Sequence, residues 1–187
     1  MDYCVTELGC IWYNKSYADP VRQHGFFKGE MMTIPYTVAN YLQNHDVEYD
    51  VITHMPTVSS QRTAQAAHVS GDRMAKAVVL NDGTNFVMAV IPASHKLETS
   101  MVFDFLRRSV EMVKEDDFAM VFRDCQLGAI PPIGDAYGMT TIVDDTLRMQ
   151  PEIYLEGGDH EHLVHMTNEE FLKLTEGWRH GYLSSHM

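Results

Sequence analysis

The chain has 187 residues, 45% of them hydrophobic, and carries 26 acidic against 14 basic side chains for a formal net charge of −12. Such a length and apolar content suit one domain with a sizeable core, and the acidity excludes a broad nucleic-acid-coating surface, so any polyanion must be met by a local basic site. Cys4, Cys10 and Cys125 are too few and too irregularly spaced for a disulfide framework or a zinc ribbon, the N-terminus carries no secretory signal, and no window is apolar enough to span a bilayer; a soluble cytoplasmic protein is expected, with no membrane or DNA partner.

Residues 1–31 lack periodicity and read as an N-terminal arm or leader. Thr33 to His45 then shows a Thr cap, a proline in the first turn and apolar Val38, Tyr41 and Leu42 on one face, which predicts a helix. Val47 to Thr53 alternates apolar and polar residues as a strand does, and Ser60 to His68 reads as a short Ala-rich helix with a serine cap. Met74–Leu80 and Asn85–Ile91 are two apolar runs joined by Asn81-Asp-Gly-Thr84, a strong hairpin signal, and are expected as the two central strands. Leu97–Val113 and Asp116–Phe122 are predicted as helices. Three short strands follow at Thr140–Val143, Glu152–Leu155 and His162–Met166. A capping box at Thr167-Asn-Glu-Glu170 opens a closing helix that Gly177 ends. The turns after residue 138 are too short for crossover helices, so the expected fold is α/β (α+β): a mixed, barrel-like central β-sheet surrounded by helices. The domain is expected over residues 32–176, with 177–187 as a C-terminal tail that, like the arm, could form a subunit contact.

Two features point to chemistry. Leu127-Gly-Ala-Ile-Pro-Pro-Ile-Gly134, followed by Asp-Ala-Tyr-Gly138, gathers three glycines and two prolines between apolar runs. Glycine permits positive φ, and proline fixes φ and removes a donor. Such a loop is either a rigid connection or a cradle that aims its remaining N–H groups at a carbonyl or phosphate. Lys76 interrupts an otherwise apolar strand. Either it lies at the sheet edge with its stem snorkelling to water, or its ammonium projects into a cleft, where it would bind phosphate or stabilise a transition state.

The block from about Glu48 to Leu174 resembles the YbaK family, which includes the editing domain inserted in bacterial prolyl-tRNA synthetases. The resemblance rests on Lys76 within its apolar strand, on Gly128-Ala-Ile-Pro-Pro132 as the family's Gly-x-x-x-Pro motif, on Ile142-Val-Asp144, and on Gly157-Gly158 before the last strand. It implies hydrolysis of the ester joining a wrongly attached small amino acid to the 3′ end of a tRNA; no cofactor is expected, and an aminoacyl-tRNA synthetase could lend RNA affinity to so acidic a chain. By the same resemblance Lys76 engages the phosphate of the terminal adenosine and Gly128 offers backbone contacts to the aminoacyl group. Ala129, Ile130, Pro131, Pro132, Gly157 and Gly158 complete the substrate loops.

Around these lie weaker candidates. His54, Ser60 and Thr63, with Ser59, surround the start of the Ala-rich helix and are expected near the pocket. Ile130, Ile133, Tyr137 and Met88 are candidate pocket walls that equally suit the core. Asp144 either orients a water or hydroxyl in the cleft or caps the turn after its strand. Arg73, Arg107 and Arg108 could supply a local positive surface or be solvated charges. His160, His162 and His165 lack a carboxylate cluster at fixed spacing, so no metal is expected, and Cys125 is more plausibly a small packed residue than a nucleophile. An aminoacyl ester is already activated, so orienting a water and stabilising an oxyanion suffice and no nucleophile triad is required. A small pocket would select small side chains by volume. The other reading is a non-catalytic ligand- or protein-binding regulatory module of the same fold.

Overall fold

The computed structural model describes residues 33–57 and 59–187; the expected N-terminal arm, with Cys4 and Cys10, lies outside them. The first helix, α1 (Tyr36–Asn44), turns Val38, Ala39 and Leu42 into the core. It starts later than the Thr cap suggests. A residue before proline is disfavoured in the helical region, so Ile34 stays out of the helix and Pro35 takes the cap position without a side-chain hydrogen bond. Strand β1 (Asp50–Thr53) follows, then α2 (Ser60–Ala66), whose cap is Ser59 rather than Ser60.

Strands β2 (Met74–Asn81) and β3 (Phe86–Pro92) form the expected hairpin, antiparallel with Lys76 opposite Ile91. The connecting turn is built by side chains acting as local acceptors. Asn81 Oδ1 receives the Gly83 N–H at 2.7 Å, and Asp82 Oδ1 receives those of Thr84 and Asn85 at 2.9 and 2.8 Å. The long helix expected over 97–113 does not form. Leu97 closes β4 (His95–Leu97), α3 covers only Thr99–Leu106, and Arg107 terminates it in the left-handed region at φ 57°. Glu111–Met112 is instead a short strand, β5, opposite Asn81 and Leu80. The helix expected at Asp116–Phe122 is reduced to α4 (Glu115–Phe118) and a 3-10 turn at Ala119–Val121.

A second 3-10 turn at Gly134–Tyr137 leads into β6 (Thr140–Asp144), α5 (Asp145–Arg148), β7 (Glu152–Glu156) and β8 (His162–Thr167). Half of the capping box forms: Thr167 accepts the Glu170 N–H at the start of α6 (Asn168–Leu174), while the Glu170 carboxylate accepts from the Glu48 N–H and Lys173. Residues beyond it carry two more strands, β9 (Arg179–Gly181) and β10 (Ser184–His186).

The main sheet is mixed and runs β1-β8-β7-β2-β3-β6-β9, with β5 added to β2; β10 pairs with β4 in a separate two-stranded ribbon. The β7–β2, β3–β6 and β6–β9 pairs are parallel and the rest antiparallel. Strand alternation divides the sheet into two faces. Ala75, Val79, Met88, Val90, Val143, Leu155 and Val164 face a large core closed by α1, α6 and the loop around Ile133. The other face has two smaller apolar clusters, one of Leu80, Ile91, Ile142, Val102 and Leu183, the other of Met74, Ala64, Ala93 and Leu163. Side chains such as Leu42, Ile133 and Phe171 are fully buried, each contributing about 1.5–3 kcal/mol from removal of apolar surface from water.

Candidate active site

Lys76 lies on β2, in the middle of the sheet, on the face that carries the two smaller clusters. It is not at an edge. Its half-buried ammonium donates to the carbonyls of Ala93 at 3.3 Å and His95 at 2.5 Å, both at the corner where β3 passes into β4. Burial pushes its pKa below the ordinary lysine value. An ammonium has three donors, so these two carbonyls orient the group and leave one N–H for a ligand.

The parallel pair Ala75–Leu155 is followed by Lys76 on β2 and by Glu156 on β7. Alternation projects both from the same face. Glu156 is only 6% exposed, and desolvation raises its pKa against the opposing pull of His160, whose N–H it accepts at 3.3 Å, and of His54. His54 follows the end of β1, and its main-chain N–H donates to Glu161 O at 2.8 Å, which ties it to the β7–β8 turn. Its Nδ1 lies 2.8 Å from Met55 O, so that nitrogen carries a proton. When the ring is neutral, Nε2 then carries a lone pair, and among the described residues this buried atom has no hydrogen-bond partner.

The glycine-proline loop meets this cluster through His160. Gly128 adopts φ +87°, a value open to glycine, and a Cβ there would stand 3.1 Å from His160 Cε1. The His160 Nε2 lies 2.8 Å from Leu127 O. The N–H groups of the loop are already engaged at three positions: Gly128 by Glu115 Oε1, Ala129 by Gln126 O and Ile133 by Pro131 O. Ala129, Pro131 and Pro132 are buried, while Ile130 borders a groove of about 340 Å³ with Glu115, Met120, Phe122 and Leu127. Gly157 and Gly158 form the β7–β8 turn. Their missing side chains admit His162 O in one case and the ring of Pro35 in the other.

The remaining expected residues are engaged in contacts of their own. The Thr63 hydroxyl is buried against Thr57 Oγ1 at 2.5 Å and Ser59 O at 3.1 Å, and Ser60 is half-exposed in the first turn of α2. Met88 and Ile133 are fully buried in the core on the opposite face from Lys76. Tyr137 is half-buried, its hydroxyl 3.2 Å from Cys125 Sγ. Asp144 is fully buried and accepts the N–H groups of Thr146 at 2.8 Å and Leu183 at 2.9 Å and the Ser184 hydroxyl at 2.7 Å. Arg73, Arg107 and Arg108 are each paired with a carboxylate, of Glu152, Asp104 and Asp82 respectively. The histidines also diverge: His162 pairs with Asp159, and His165 lies between Asp50 and Glu152.

The site thus has two parts: Lys76 at its carbonyl corner, and a cluster of His54, Glu156, His160 and Gly128. The model of the aminoacyl-tRNA editing domain family matches residues 54–174, a span that holds every residue of both parts. The chain belongs to that family. Among solved structures, the fold of this editing domain is similar to that of a protein described as a candidate trans-editing enzyme for prolyl-tRNA synthetase, with 18% identity, a TM-score of 0.70 and coverage of 83% of this chain and 99% of that one. The hypothetical protein APE2540 is similar at 18% identity and TM-score 0.70, covering 80% of this chain and 99% of its own. A candidate signal transduction protein from Marinobacter aquaeolei VT8 matches with 19% identity and TM-score 0.64, over 81% of this chain and 31% of that chain. No curated protein sequence matches the chain.

Sequence reasoning missed Glu156 and Glu115, and it considered His160 only as a metal ligand. Glu156 had a signal, an acidic residue where the alternation of Glu152-Ile-Tyr-Leu points it away from the core. Glu115 had none, because its relation to Gly128 depends on how two irregular segments meet.

Proposed function

We propose that this editing domain is a trans-acting deacylase that hydrolyses the ester of a small amino acid wrongly attached to the 3′ end of a tRNA. The observation that carries the reading is Lys76. A cation at mid-sheet, steered by the carbonyls of Ala93 and His95 and keeping one free donor, is a preformed site for a phosphate oxygen. The terminal adenosine phosphate would take that donor, which sets the ester above Glu156 and His54.

His54 Nε2 is the acceptor we assign to the attacking water, and the loop at Gly128 to Ile130 forms the wall against which the aminoacyl group lies. General-base assistance of this kind contributes about 10²–10⁴-fold. Asp144, Gly157 and Gly158 support the site from behind, Asp144 through hydrogen bonds and the glycines by close packing. The net charge of −12 favours a footprint limited to the terminal nucleotides, with a synthetase supplying further RNA affinity.

The test is a deacylation assay of the full chain across tRNAs charged with alanine, serine, cysteine and proline. At least one ester is expected to be cleaved well above its rate in buffer. If none is, the enzymatic reading is wrong and a binding module of the same fold takes its place.

A further inference from the structure

The contacts of Lys76 continue past the two carbonyls it touches. His95, which supplies one of them, is nine-tenths buried, and its ring Nδ1 lies 2.9 Å from Ser184 Oγ. The same hydroxyl lies 2.7 Å from Asp144 Oδ2. A carboxylate only accepts, so the Ser184 proton points to Asp144 and the Ser184 oxygen receives the Nδ1–H of His95. Every link is therefore directional: Lys76 donates to the His95 carbonyl, the His95 ring to Ser184, and Ser184 to Asp144.

Ser184 belongs to β10, which pairs with β4 so that Ser184 faces Leu97 and His186 faces His95. One residue further, the Met187 N–H holds Ser94 O at 3.0 Å. The corner that orients the lysine is thus clamped at Ser94 and His95 by residues 184–187, which lie beyond the 54–174 span matched by the family. A backbone carbonyl can aim an ammonium only if the peptide carrying it is itself fixed, and here the fixing groups come from the last strand.

We propose that β10 is a positioning element for Lys76, in which Ser184, anchored by Asp144, fixes the His95 ring and thereby the carbonyl that sets the lysine ammonium. This rests on the assignment of Lys76 to the substrate site. Ser184 and His95 are positioning residues and touch no reacting atom.

The test uses the full chain with Ser184→Ala, Ser184→Thr and Lys76→Ala, and reads two quantities. One is the rate of acetylation of the Lys76 amine, followed by peptide mass spectrometry, which requires no substrate. The other is kcat and KM on the most readily cleaved aminoacyl-tRNA. Losing one hydrogen bond of the chain is expected to change Lys76 acetylation at least threefold and to lower kcat roughly tenfold with KM within twofold, while Ser184→Thr, which keeps the hydroxyl, restores both. Parental acetylation and kcat in Ser184→Ala would overturn the proposal, as would a Ser184→Thr variant as impaired as Ser184→Ala. If acetylation responds but Lys76→Ala hydrolyses esters as fast as the parent, the positioning stands and the deacylase reading falls. Should Ser184→Ala fail to fold, His95→Asn against His95→Leu carries the same comparison, since the asparagine amide can replace Nδ1–H and leucine cannot.

Discussion

The main-chain N–H of Gly128 donates to the carboxylate of Glu115, thirteen residues earlier, which lines the same groove as Leu127 and Ile130. In the deacylase reading this donor faces the aminoacyl carbonyl, so a carboxylate oxygen holds the place that a substrate oxygen would take. Binding must then displace Glu115, a charged hydrogen bond contributing about 1.5–3 kcal/mol. Glu115→Ala is expected to lower KM for aminoacyl-tRNA at least roughly tenfold in steady-state deacylation, because the donor is freed and a charge that repels RNA is removed. An unchanged or raised KM would show that this N–H takes no part in binding.

Gly128 itself tolerates no side chain at φ +87° without strain, and a Cβ would press on the His160 ring. Gly128→Ala is expected to lose about 1–2 kcal/mol of stability by urea denaturation, the usual cost of a left-handed non-glycine residue, and to cut kcat/KM at least tenfold. A variant of parental stability and rate would mean that the loop reshapes freely and that its geometry is not what the site uses.

Glu156 predicts a pH signature. Burial raises its pKa above the ordinary carboxylate value of 4.5, so the folded state holds the proton more tightly than the unfolded one. The stability this contributes is complete below the unfolded pKa and is lost as pH rises through the folded pKa, at about 1.4 kcal/mol for every tenfold difference in proton affinity between the two states. Glu156→Gln, which stays neutral, is expected to gain on the parent from pH 4 upward in urea denaturation and to level off once pH has passed the folded pKa. A constant difference between the two proteins over that range would contradict the raised pKa.

Much of this was legible in the chain, and the limits have physical causes. The hairpin of β2 and β3 was readable because its turn residues act locally, and the α6 start because Thr167 caps it within one turn. The break of the helix expected over 97–113 was not, since it depends on β5 finding the end of β2. Strands β9 and β10 are three residues each and become strands only by pairing with β6 and β4. At the site, Lys76 and Gly128 stood out as residues at odds with their surroundings. The His95–Ser184 contact spans 89 residues and could not be inferred from either neighbourhood.

Cys125 offers a separate check on the chemistry. Burial, opposed by the Tyr137 hydroxyl, pushes its thiol up to about 11, so almost no thiolate exists at neutral pH. Cys125→Ser is expected to deacylate within twofold of the parent, and the Cys125 peptide to alkylate slowly with iodoacetamide at pH 7.4. A hundredfold loss of rate in the serine variant would reinstate a cysteine nucleophile.

Lys76→Ala, compared with the parent on the same charged tRNA, tests the central claim most directly. Removing a charge-assisted hydrogen bond to the terminal phosphate is expected to cost about 2–3 kcal/mol, so kcat/KM should fall at least thirtyfold with the fold intact by circular dichroism. Hydrolysis by Lys76→Ala at the parental rate would contradict the account.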